Sequence, residues 1–259
     1  MNLRGLRRHW DAFGRSDPFW AVLSEPGKKG NRWAAEEFFK TGADEIEGVL
    51  AYLRARGFPL RRGRALDFGC GVGRLSQALA LHFDEVVGVD IAPSMLELAR
   101  GYNRHGERCR YVLNESDRLP MLSGQSFDLV YTNIVLQHIA PRYVKRYLAE
   151  FVRVLAPGGL LVFQLPSRVI DAGATRGLKG ALKQVLPQTL LEAYRRLKRS
   201  FEFPRMEGHG LRPDEVRSVL EAAGARLLDI VPDRSPGPAW ESFRYCATRI
   251  TGAPAGQLS

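Results

Sequence analysis

Three glycines at alternate positions, Gly69, Gly71 and Gly73, directly follow a short stretch of strand-forming residues. Such a turn after a strand lets the backbone approach a ligand closely. A dinucleotide-binding turn has the spacing G-x-G-x-x-G, because the diphosphate sits on the N-terminus of the next helix. Here the spacing is G-x-G-x-G, and Arg74 stands where that pattern has its third glycine. The turn therefore favours a ligand other than a dinucleotide.

Two carboxylates stand at the ends of the neighbouring predicted strands. Asp67 precedes the first glycine by two residues, and Asp90 follows Gly73 by 17 residues. A carboxylate at the turn would repel a diphosphate, but it suits a ligand that carries an ammonium and a sulfonium. Asp90 is placed to accept hydrogen bonds from two ribose hydroxyls. S-adenosylmethionine carries both cations and a ribose, so the pattern indicates this cofactor.

The elements that must position these residues alternate along the chain. Strand-like stretches alternate with stretches of helical periodicity from about residue 64, which is typical of an α/β fold with a parallel sheet covered on both faces. Helices are predicted over 93–100, from Pro141 onward, and over 213–223, where Gly224 ends the helix. The predicted strands are 65–68, 86–89, 110–113, 127–131, 160–165, 226–231 and 242–248.

Four motifs in order over about residues 64–166 resemble those of the class I S-adenosylmethionine-dependent methyltransferases. They are DFGCGVG at 67–73, VGVDIAPSML at 87–96, LP with SFDLV at 119–130, and VLAPGG at 154–159. The resemblance implies an enzyme that uses S-adenosyl-L-methionine. It also implies a doubly wound, mostly parallel sheet of seven strands with an antiparallel last strand, which residues 242–248 would supply.

The same resemblance assigns the cofactor contacts near the first two strands. It implies that Gly69 and Gly71 give the backbone close approach to the cofactor. It further implies that Asp67 faces the amino-acid end of the cofactor and that Asp90 faces its ribose. For these two carboxylates, a purely structural role is the weaker interpretation.

The remaining implied contacts run from the adenine to the methionine end. Ile91 and Met95 would contact the adenine, Glu115 would accept from its amino group, and the Ser116 N–H would meet a ring nitrogen. Asn133, after the fourth strand, would line the methionine moiety. Ordinary packing is an equally good interpretation for Ile91, Met95 and Ser116.

Two histidines are candidates for the general base that a hydroxyl acceptor needs. His138 lies five residues after Asn133, and His209 lies in a glycine-flanked loop before the last helix. Enzymes that methylate amino groups of nucleic-acid bases place Asn/Asp-Pro-Pro-aromatic after the fourth strand, whereas residues 132–135 read TNIV. Nucleic acid is therefore the second-ranked acceptor, after a small molecule.

Composition and charge limit the partners, the localisation and the cysteine chemistry that the sequence allows. The net charge of the chain is +10, but nine basic and three acidic residues fall within 168–205, so much of the excess is local. No apolar run reaches the roughly 20 residues that cross a bilayer, and no signal peptide is recognisable, so a cytoplasmic protein is expected. Three scattered cysteines predict neither disulfides nor a metal site.

The predicted organisation is a helical, aromatic-rich extension over 1–60 and a methyltransferase domain over 61–259, with a helical insert at about 168–205. Two interpretations of residues 177–199 stay open: a lid that contacts a lipid-linked acceptor or a membrane surface, and a helix packed on the domain with a solvated basic face. The oligomeric state is not predicted.

The sequence therefore predicts a methyltransferase that methylates an oxygen atom of a small molecule, such as a secondary metabolite, a sugar or a lipid-linked precursor. An RNA or protein methyltransferase and a non-catalytic module that binds the cofactor are the alternatives.

Overall fold

The computed structural model describes residues 1–170 and 204–250. Its seven strands are β1 Arg64–Phe68, β2 Glu85–Asp90, β3 Cys109–Leu113, β4 Phe127–Thr132, β5 Leu155–Val169, β6 Ala225–Pro232 and β7 Trp240–Arg249. They form one sheet in the order β3-β2-β1-β4-β5-β7-β6. Strand β7 pairs antiparallel with both of its neighbours, and the other pairings are parallel. The predicted seven-stranded sheet with an antiparallel last strand is confirmed.

The helices begin and end where local signals place them. The described helices are α1 Leu3–Ser16, α2 Pro18–Val22, α3 Ala35–Ala55, α4 Arg74–Leu79, α5 Pro93–Tyr102, α6 Pro141–Val154 and α7 Pro213–Ala222. Proline stands in the first turn of α5, α6 and α7, where its missing N–H costs no hydrogen bond. Gly224 follows α7 with φ +85°, the left-handed conformation that glycine adopts readily after a helix.

Strand β5 differs most from its prediction. The sequence predicts a strand over 160–165, preceded by a break at residues 157–159. In the structure β5 begins at Leu155, directly after α6, and continues to Val169. Gly158 has φ +74°, and the register with β4 shifts between Phe127 and Leu129. The Pro-Gly-Gly sequence therefore bends a continuous strand, and the start of the predicted insert belongs to β5.

Both faces of the sheet are buried, because helices cover each of them. Side chains on one face of the central strands pack against the apolar stripe of α6, which includes Leu148 and Phe151. The opposite face packs against α3, α4 and α5, with Ile46 and Leu53 of α3 fully buried. This arrangement leaves the carboxyl ends of the parallel strands as the edge where a ligand site forms.

The N-terminal helices pack onto that edge. Asp11 of α1 accepts a hydrogen bond from the backbone N–H of Ser94 (2.9 Å), and the Ser94 hydroxyl donates to the Asp11 carbonyl (2.8 Å). A separate apolar cluster joins α1 and α3 to α5 through Phe13, Phe38 and Met95. The extension therefore forms part of the wall around the strand ends.

Residues 171–203 lie outside the described residues, and both interpretations of 177–199 concern that segment. None of the helices in the described ranges is long and apolar enough to span a membrane.

Candidate functional site

A cleft of about 820 Å³, including its open mouth, lies at the carboxyl ends of β1, β2 and β4. Its floor is the glycine turn after β1, and Asp90 and Ile91 after β2 form one side. Residues 133–135 after β4 form the other side, and α1 contributes part of the cover. The cleft occupies the position that the strand order predicts for a ligand.

The glycine turn gives the cleft a floor made of backbone. Gly69 and Gly71 have φ angles of +75° and +52°, which residues with a side chain adopt rarely. A Cβ atom at Gly69 would collide with Val135, and one at Gly71 would lie 2.7 Å from Val22 Cγ2. Both glycines line the cleft, so the turn allows the close approach that the sequence predicts for the cofactor.

Asp90 lines the cleft at the end of β2. Its Oδ2 accepts from the Gly71 N–H (2.9 Å), and its Oδ1 accepts from the Ala92 N–H (2.8 Å). Burial raises the pKa of the Asp90 carboxyl, while these backbone donors favour its charged form. Each oxygen retains a further lone pair, so the carboxylate is fixed in place and fits a ribose that offers two hydroxyls.

Asp67 does not line the cleft. Its side chain is 1% exposed, and its Oδ2 accepts a hydrogen bond of 2.6 Å from the Ser76 hydroxyl. Burial raises the pKa of Asp67 to about 7, although the Arg74 charge acts in the opposite direction. The structure therefore places this carboxyl beneath the turn, where it joins β1 to α4. The contact of Asp67 with the amino-acid end of the cofactor stays a prediction.

Of the two residues predicted to contact the adenine, Ile91 and Met95, only Ile91 lines the cleft. Met95 is 1% exposed and packs in the cluster with Phe13 and Phe38, because it faces the N-terminal helices from the inner side of α5. Met95 therefore packs in this cluster, and its contact with the adenine stays a prediction.

The residues after β3 are also placed differently from the expectation. Glu115 forms an exposed ion pair with Arg7 of α1, outside the main cleft. The Ser116 N–H donates to Asn114 Oδ1 (3.2 Å) instead of pointing to a free acceptor. Asn114, the residue before them, lines the cleft and is 2% exposed. The adenine contacts of Glu115 and Ser116 stay predictions.

Asn133 lines the cleft directly after β4, and its contact with the methionine moiety stays a prediction. Its Nδ2 donates to Glu45 Oε1 (2.8 Å), and its buried Oδ1 has no hydrogen-bond partner. The next residue, Ile134, has φ +59°, an uncommon conformation for a β-branched side chain. Its N–H donates to Gln164 Oε1 (3.1 Å), and Gln164 Nε2 donates to Ser242 Oγ (2.7 Å). Neighbouring strands therefore hold this strained turn.

Glu45 of α3 joins this edge of the cleft, although nothing in the sequence motifs points to it. Its Oε1 also accepts from the Tyr131 hydroxyl (2.8 Å), and its Oε2 pairs with Arg74 (2.9 Å). Arg74 is 3% exposed, lines the cleft and donates to Thr41 Oγ1 (3.3 Å). The helical extension thus supplies a partly buried carboxylate to the strand ends.

His138 lies on the cleft wall after β4. Its Nδ1 is 2.7 Å from the Glu207 carbonyl oxygen. That oxygen can only accept, so Nδ1 carries the proton and Nε2 of the neutral ring is unprotonated. Burial lowers the pKa of His138 below its ordinary value, and the Trp10 ring contacts its edge at a centroid distance of 5.3 Å. The ring is therefore a neutral imidazole, and its unprotonated Nε2 accepts from the Gln137 side-chain amide (3.3 Å).

His209 does not line the cleft. Its Nε2 lies 3.1 Å from Glu207 Oε2, and its backbone N–H donates to the Gln137 carbonyl (2.7 Å). These contacts fix the segment around Glu207 beside His138. Both candidate histidines contact Glu207, but only His138 lines the cleft, where an acceptor would bind.

Cys70 also lines the cleft, but its thiol is an unsuitable nucleophile. Burial raises the pKa of the Cys70 thiol well above its ordinary value, which disfavours the reactive thiolate. Within residues 1–170 and 204–250, no group of three His, Cys, Asp or Glu side chains could hold a metal ion.

Several cleft residues carry no signal in the sequence motifs. Leu6 and Trp10 of α1 and Val22 of α2 come from the extension, and Ile139 and Tyr147 come from the segment after β4. The amphipathic pattern of α1 marks Leu6 and Trp10 as buried, but that pattern cannot say which surface they cover.

Comparisons with known proteins agree with this architecture. A family model described as a methyltransferase domain matches residues 66–163. Malonyl-[acyl-carrier protein] O-methyltransferase of Methylococcus capsulatus is 34% identical over 119 residues, which are 45% of this chain and 42% of that protein. Ubiquinone biosynthesis O-methyltransferase of Coxiella burnetii is 29% identical over 176 residues, 66% of this chain and 67% of that protein.

A solved structure extends the likeness to the whole fold. Magnesium protoporphyrin IX methyltransferase from Synechocystis PCC 6803 with bound SAH has a TM-score of 0.61 and 19% identity, and the match covers 94% of this chain and 98% of that chain. The chain spans 30%, 42% and 47% of the length of three curated relatives. With the ordered motifs and the observed strand order, the chain therefore contains a methyltransferase domain at residues 66–163 and has the fold of S-adenosylmethionine-dependent methyltransferases.

Proposed function

We propose that this protein transfers the methyl group of S-adenosylmethionine to an oxygen atom of a small molecule, such as a secondary metabolite, a sugar or a lipid-linked precursor. The observation that carries the proposal is the neutral imidazole of His138 on the wall of the cleft, with Nε2 unprotonated. A hydroxyl acceptor needs such a base. The O-methyltransferases among the relatives support the same chemistry.

The cleft residues fit the cofactor. When bound, S-adenosylmethionine supplies a methyl group on a positively charged sulfur. Asp90 accepts hydrogen bonds from the ribose hydroxyls with the lone pairs that its backbone donors leave free. Gly69 and Gly71 bring backbone against the ligand, and Asn133 lines the cleft beside them.

His138 acts as the general base in this proposal. Its Nε2 exchanges the Gln137 amide (3.3 Å) for the acceptor hydroxyl and takes the hydroxyl proton as the oxygen attacks the methyl carbon, while Nδ1–H stays bound to the Glu207 carbonyl. His209 contacts Glu207 and lies outside the cleft, so we assign it a positioning role. Alignment of the reacting groups contributes further to the rate, because the displacement is in line.

The acceptor binds against an apolar wall. Leu6 and Trp10 from α1 face Val135 and Ile139 from the segment after β4, and all four line the cleft next to His138. An apolar or aromatic body with one reactive hydroxyl complements this surface, because burial of apolar area drives such binding. The Trp10 ring, which forms a T-shaped pair with the His138 ring, also holds the base in place.

An assay of S-adenosylhomocysteine release tests the proposal. The wild-type protein is incubated with a library of phenols, sugars, carboxylic acids and lipid-linked hydroxyl compounds, with tRNA and ribosomal RNA as parallel samples. We expect turnover with a member of the small-molecule set and none with RNA at physiological salt. Turnover with a defined RNA alone, or with a protein extract alone, would contradict the small-molecule assignment.

A further inference from the structure

The amide of Gln137 lies against the ring nitrogen that the proposed function uses. Its Nε2 is 3.3 Å from His138 Nε2. Because His138 Nδ1 donates to the Glu207 carbonyl (2.7 Å), Nε2 of the neutral ring only accepts, and the amide therefore donates to it. Gln137 is 8% exposed and does not line the cleft. The amide thus contacts the base from a buried position outside the cleft.

The oxygen of this amide has no partner. Gln137 Oε1 is buried and accepts no hydrogen bond, so the contact with His138 is what sets the orientation of the amide. A half-turn about the last bond of the side chain exchanges the positions of Oε1 and Nε2. The backbone does not have to move, and the His209 N–H holds it at the Gln137 carbonyl (2.7 Å). In the turned orientation the amide presents an acceptor to His138.

The two orientations of the amide match the two protonation states of His138. A neutral ring offers a lone pair at Nε2 and needs a donor, whereas an imidazolium offers an N–H there and needs an acceptor. In the proposed reaction the O–H bond of the acceptor breaks and an N–H bond forms at Nε2, while the methyl group passes from sulfur to oxygen. The imidazolium then gives this proton to water. Gln137 itself neither gives nor takes a proton, but its amide fits the ring before and after the transfer.

The titratable and charged groups around the ring belong to other elements. The Glu207 carboxylate is engaged by His209 (3.1 Å) and by the ammonium of Met1 (3.0 Å). Burial lowers the pKa of His138, the hydrogen bond to the Glu207 backbone raises it, and the charge of His209 lowers it further. The groups of this kind that line the cleft are Cys70, Arg74, Asp90 and Tyr147. The Gln137 amide is the group that contacts Nε2 itself.

We propose that Gln137 is the positioning residue of the base: its amide donates to His138 Nε2 while the ring is neutral and turns to accept from Nε2–H once the ring is charged. The inference rests on the proposed function, because it takes His138 as the base. A hydrogen bond to a charged group is the stronger of the two, so Gln137 stabilises the imidazolium more than the neutral ring. Gln137 therefore helps to set the pH above which the base is active.

NMR titration of the His138 ring, in the full chain without ligand, tests this role. The ring signals are assigned by comparison with His138→Gln, since the chain has five histidines. Gln137→Glu places a carboxylate oxygen against Nε2 and should raise the pKa of His138 by at least about one pH unit. Gln137→Met keeps the length of the side chain and removes both hydrogen-bonding atoms. It should lower that pKa by roughly 0.5 to 1 pH unit, because the charge-assisted hydrogen bond is lost.

Gln77→Glu is the matched control. Gln77 is also 8% exposed, but it belongs to α4, and its Oε1 accepts from the Arg104 N–H (3.2 Å). The control adds the same charge at an equally buried glutamine that does not line the cleft. We expect it to leave the pKa of His138 unchanged. Thermal melting followed by circular dichroism shows whether each variant is folded.

The pH dependence of kcat/KM gives a second readout, because it reports the free enzyme, in which the amide contacts Nε2. The ascending limb of the profile should move to higher pH in Gln137→Glu and to lower pH in Gln137→Met. A purely structural role of Gln137 would lower the rate without moving this limb.

The outcomes separate this inference from the proposed function. An unchanged pKa of His138 in both Gln137 variants, or an equal rise in Gln77→Glu, would overturn the role of Gln137. If Gln137→Glu does not fold, the titration of Gln137→Met decides, and an unchanged or raised pKa would overturn the role. Opposite shifts in the two variants, with no turnover of any hydroxyl compound by the wild-type protein, would support the coupling of Gln137 to His138 and overturn the proposed function.

Discussion

The turn after β1 and the N-terminal helices both build the cleft, but they do so in different ways. Gly69, Gly71 and Asp90 lie within 22 residues of one another, at the ends of adjacent strands. Trp10 lines the same cleft from α1, and Glu45 of α3 contacts Asn133 on its wall. The positions of Gly69, Gly71 and Asp90 depend on strand order and backbone geometry, whereas those of Trp10 and Glu45 depend on how separate helices pack. The first arrangement follows from a short segment of sequence, and the second requires contacts between distant segments.

The largest effect is expected at His138, which follows β4 of the sheet. His138→Ala should lower turnover by roughly 10²- to 10⁴-fold, because a positioned base contributes about that much. The affinity for S-adenosylhomocysteine should stay nearly unchanged. Initial rates with the acceptor and calorimetry with the product measure the two quantities.

His209→Ala is the matched control, since its ring contacts Glu207 outside the cleft. We expect it to lower turnover by less than about tenfold, because general-base effects require contact with the reacting hydroxyl. A larger loss at His209 than at His138 would reverse the assignment of the base.

The pH dependence of kcat also tests the assignment of His138 as the general base. Burial lowers the pKa of His138, so the imidazole stays neutral at pH values below the ordinary 6.5. The base is active when neutral, so the rate should stay level as the pH falls to 6.5 and should decline only at lower pH. A pH–rate profile of kcat with the wild-type enzyme checks this. A decline centred above 6.5, or the same decline in His138→Gln, would contradict it.

A substitution at Trp10 of α1 tests whether the N-terminal helices contribute to acceptor binding. Trp10→Ala should raise KM for the acceptor by about tenfold, since a buried aromatic contact and part of the apolar wall are lost. Trp20→Ala is the control, because Trp20 belongs to the same extension and lies against Lys29 rather than in the cleft. Steady-state kinetics with the acceptor should show no change for Trp20→Ala. Equal effects of the two substitutions would remove Trp10 from the acceptor site.

The smallest effect is expected at Glu115, where the two regions touch at the surface. Its ion pair with Arg7 joins side chains that are 50% and 45% exposed. Exposed pairs of this kind contribute about 0–1 kcal/mol, so Glu115→Ala should change S-adenosylhomocysteine affinity by less than about threefold. Arg7→Ala should have the same small effect. A tenfold loss in Glu115→Ala alone would restore the contact with the adenine that the sequence predicts.

The sequence predicts the parts of the site that short segments determine. The glycine spacing, Asp90 and Asn133 follow from motifs at strand ends, and the structure places all of them on the cleft. Met95 has the same motif support but faces the N-terminal helices, because periodicity gives a buried face and not the partner that covers it.

Contacts between distant segments are the parts that the sequence leaves open. Glu45 precedes Asn133 by 88 residues, and only the packing of α3 on α4 brings them together. Strand β5 continues past its predicted end because β7 pairs with it as far as Val169. A local sequence pattern contains no information about pairing with a distant strand. It therefore predicts that β5 exists but not how far it extends.

Calorimetric titration of S-adenosylhomocysteine into the wild-type protein and Asp90→Ala tests most directly whether the cleft binds the cofactor through Asp90. We expect one binding site in the wild-type protein and no measurable binding of NAD. Asp90→Ala should bind S-adenosylhomocysteine at least about tenfold more weakly, because two hydrogen bonds to one carboxylate are lost. Equal affinity in the two proteins, or binding of NAD in place of S-adenosylhomocysteine, would contradict it.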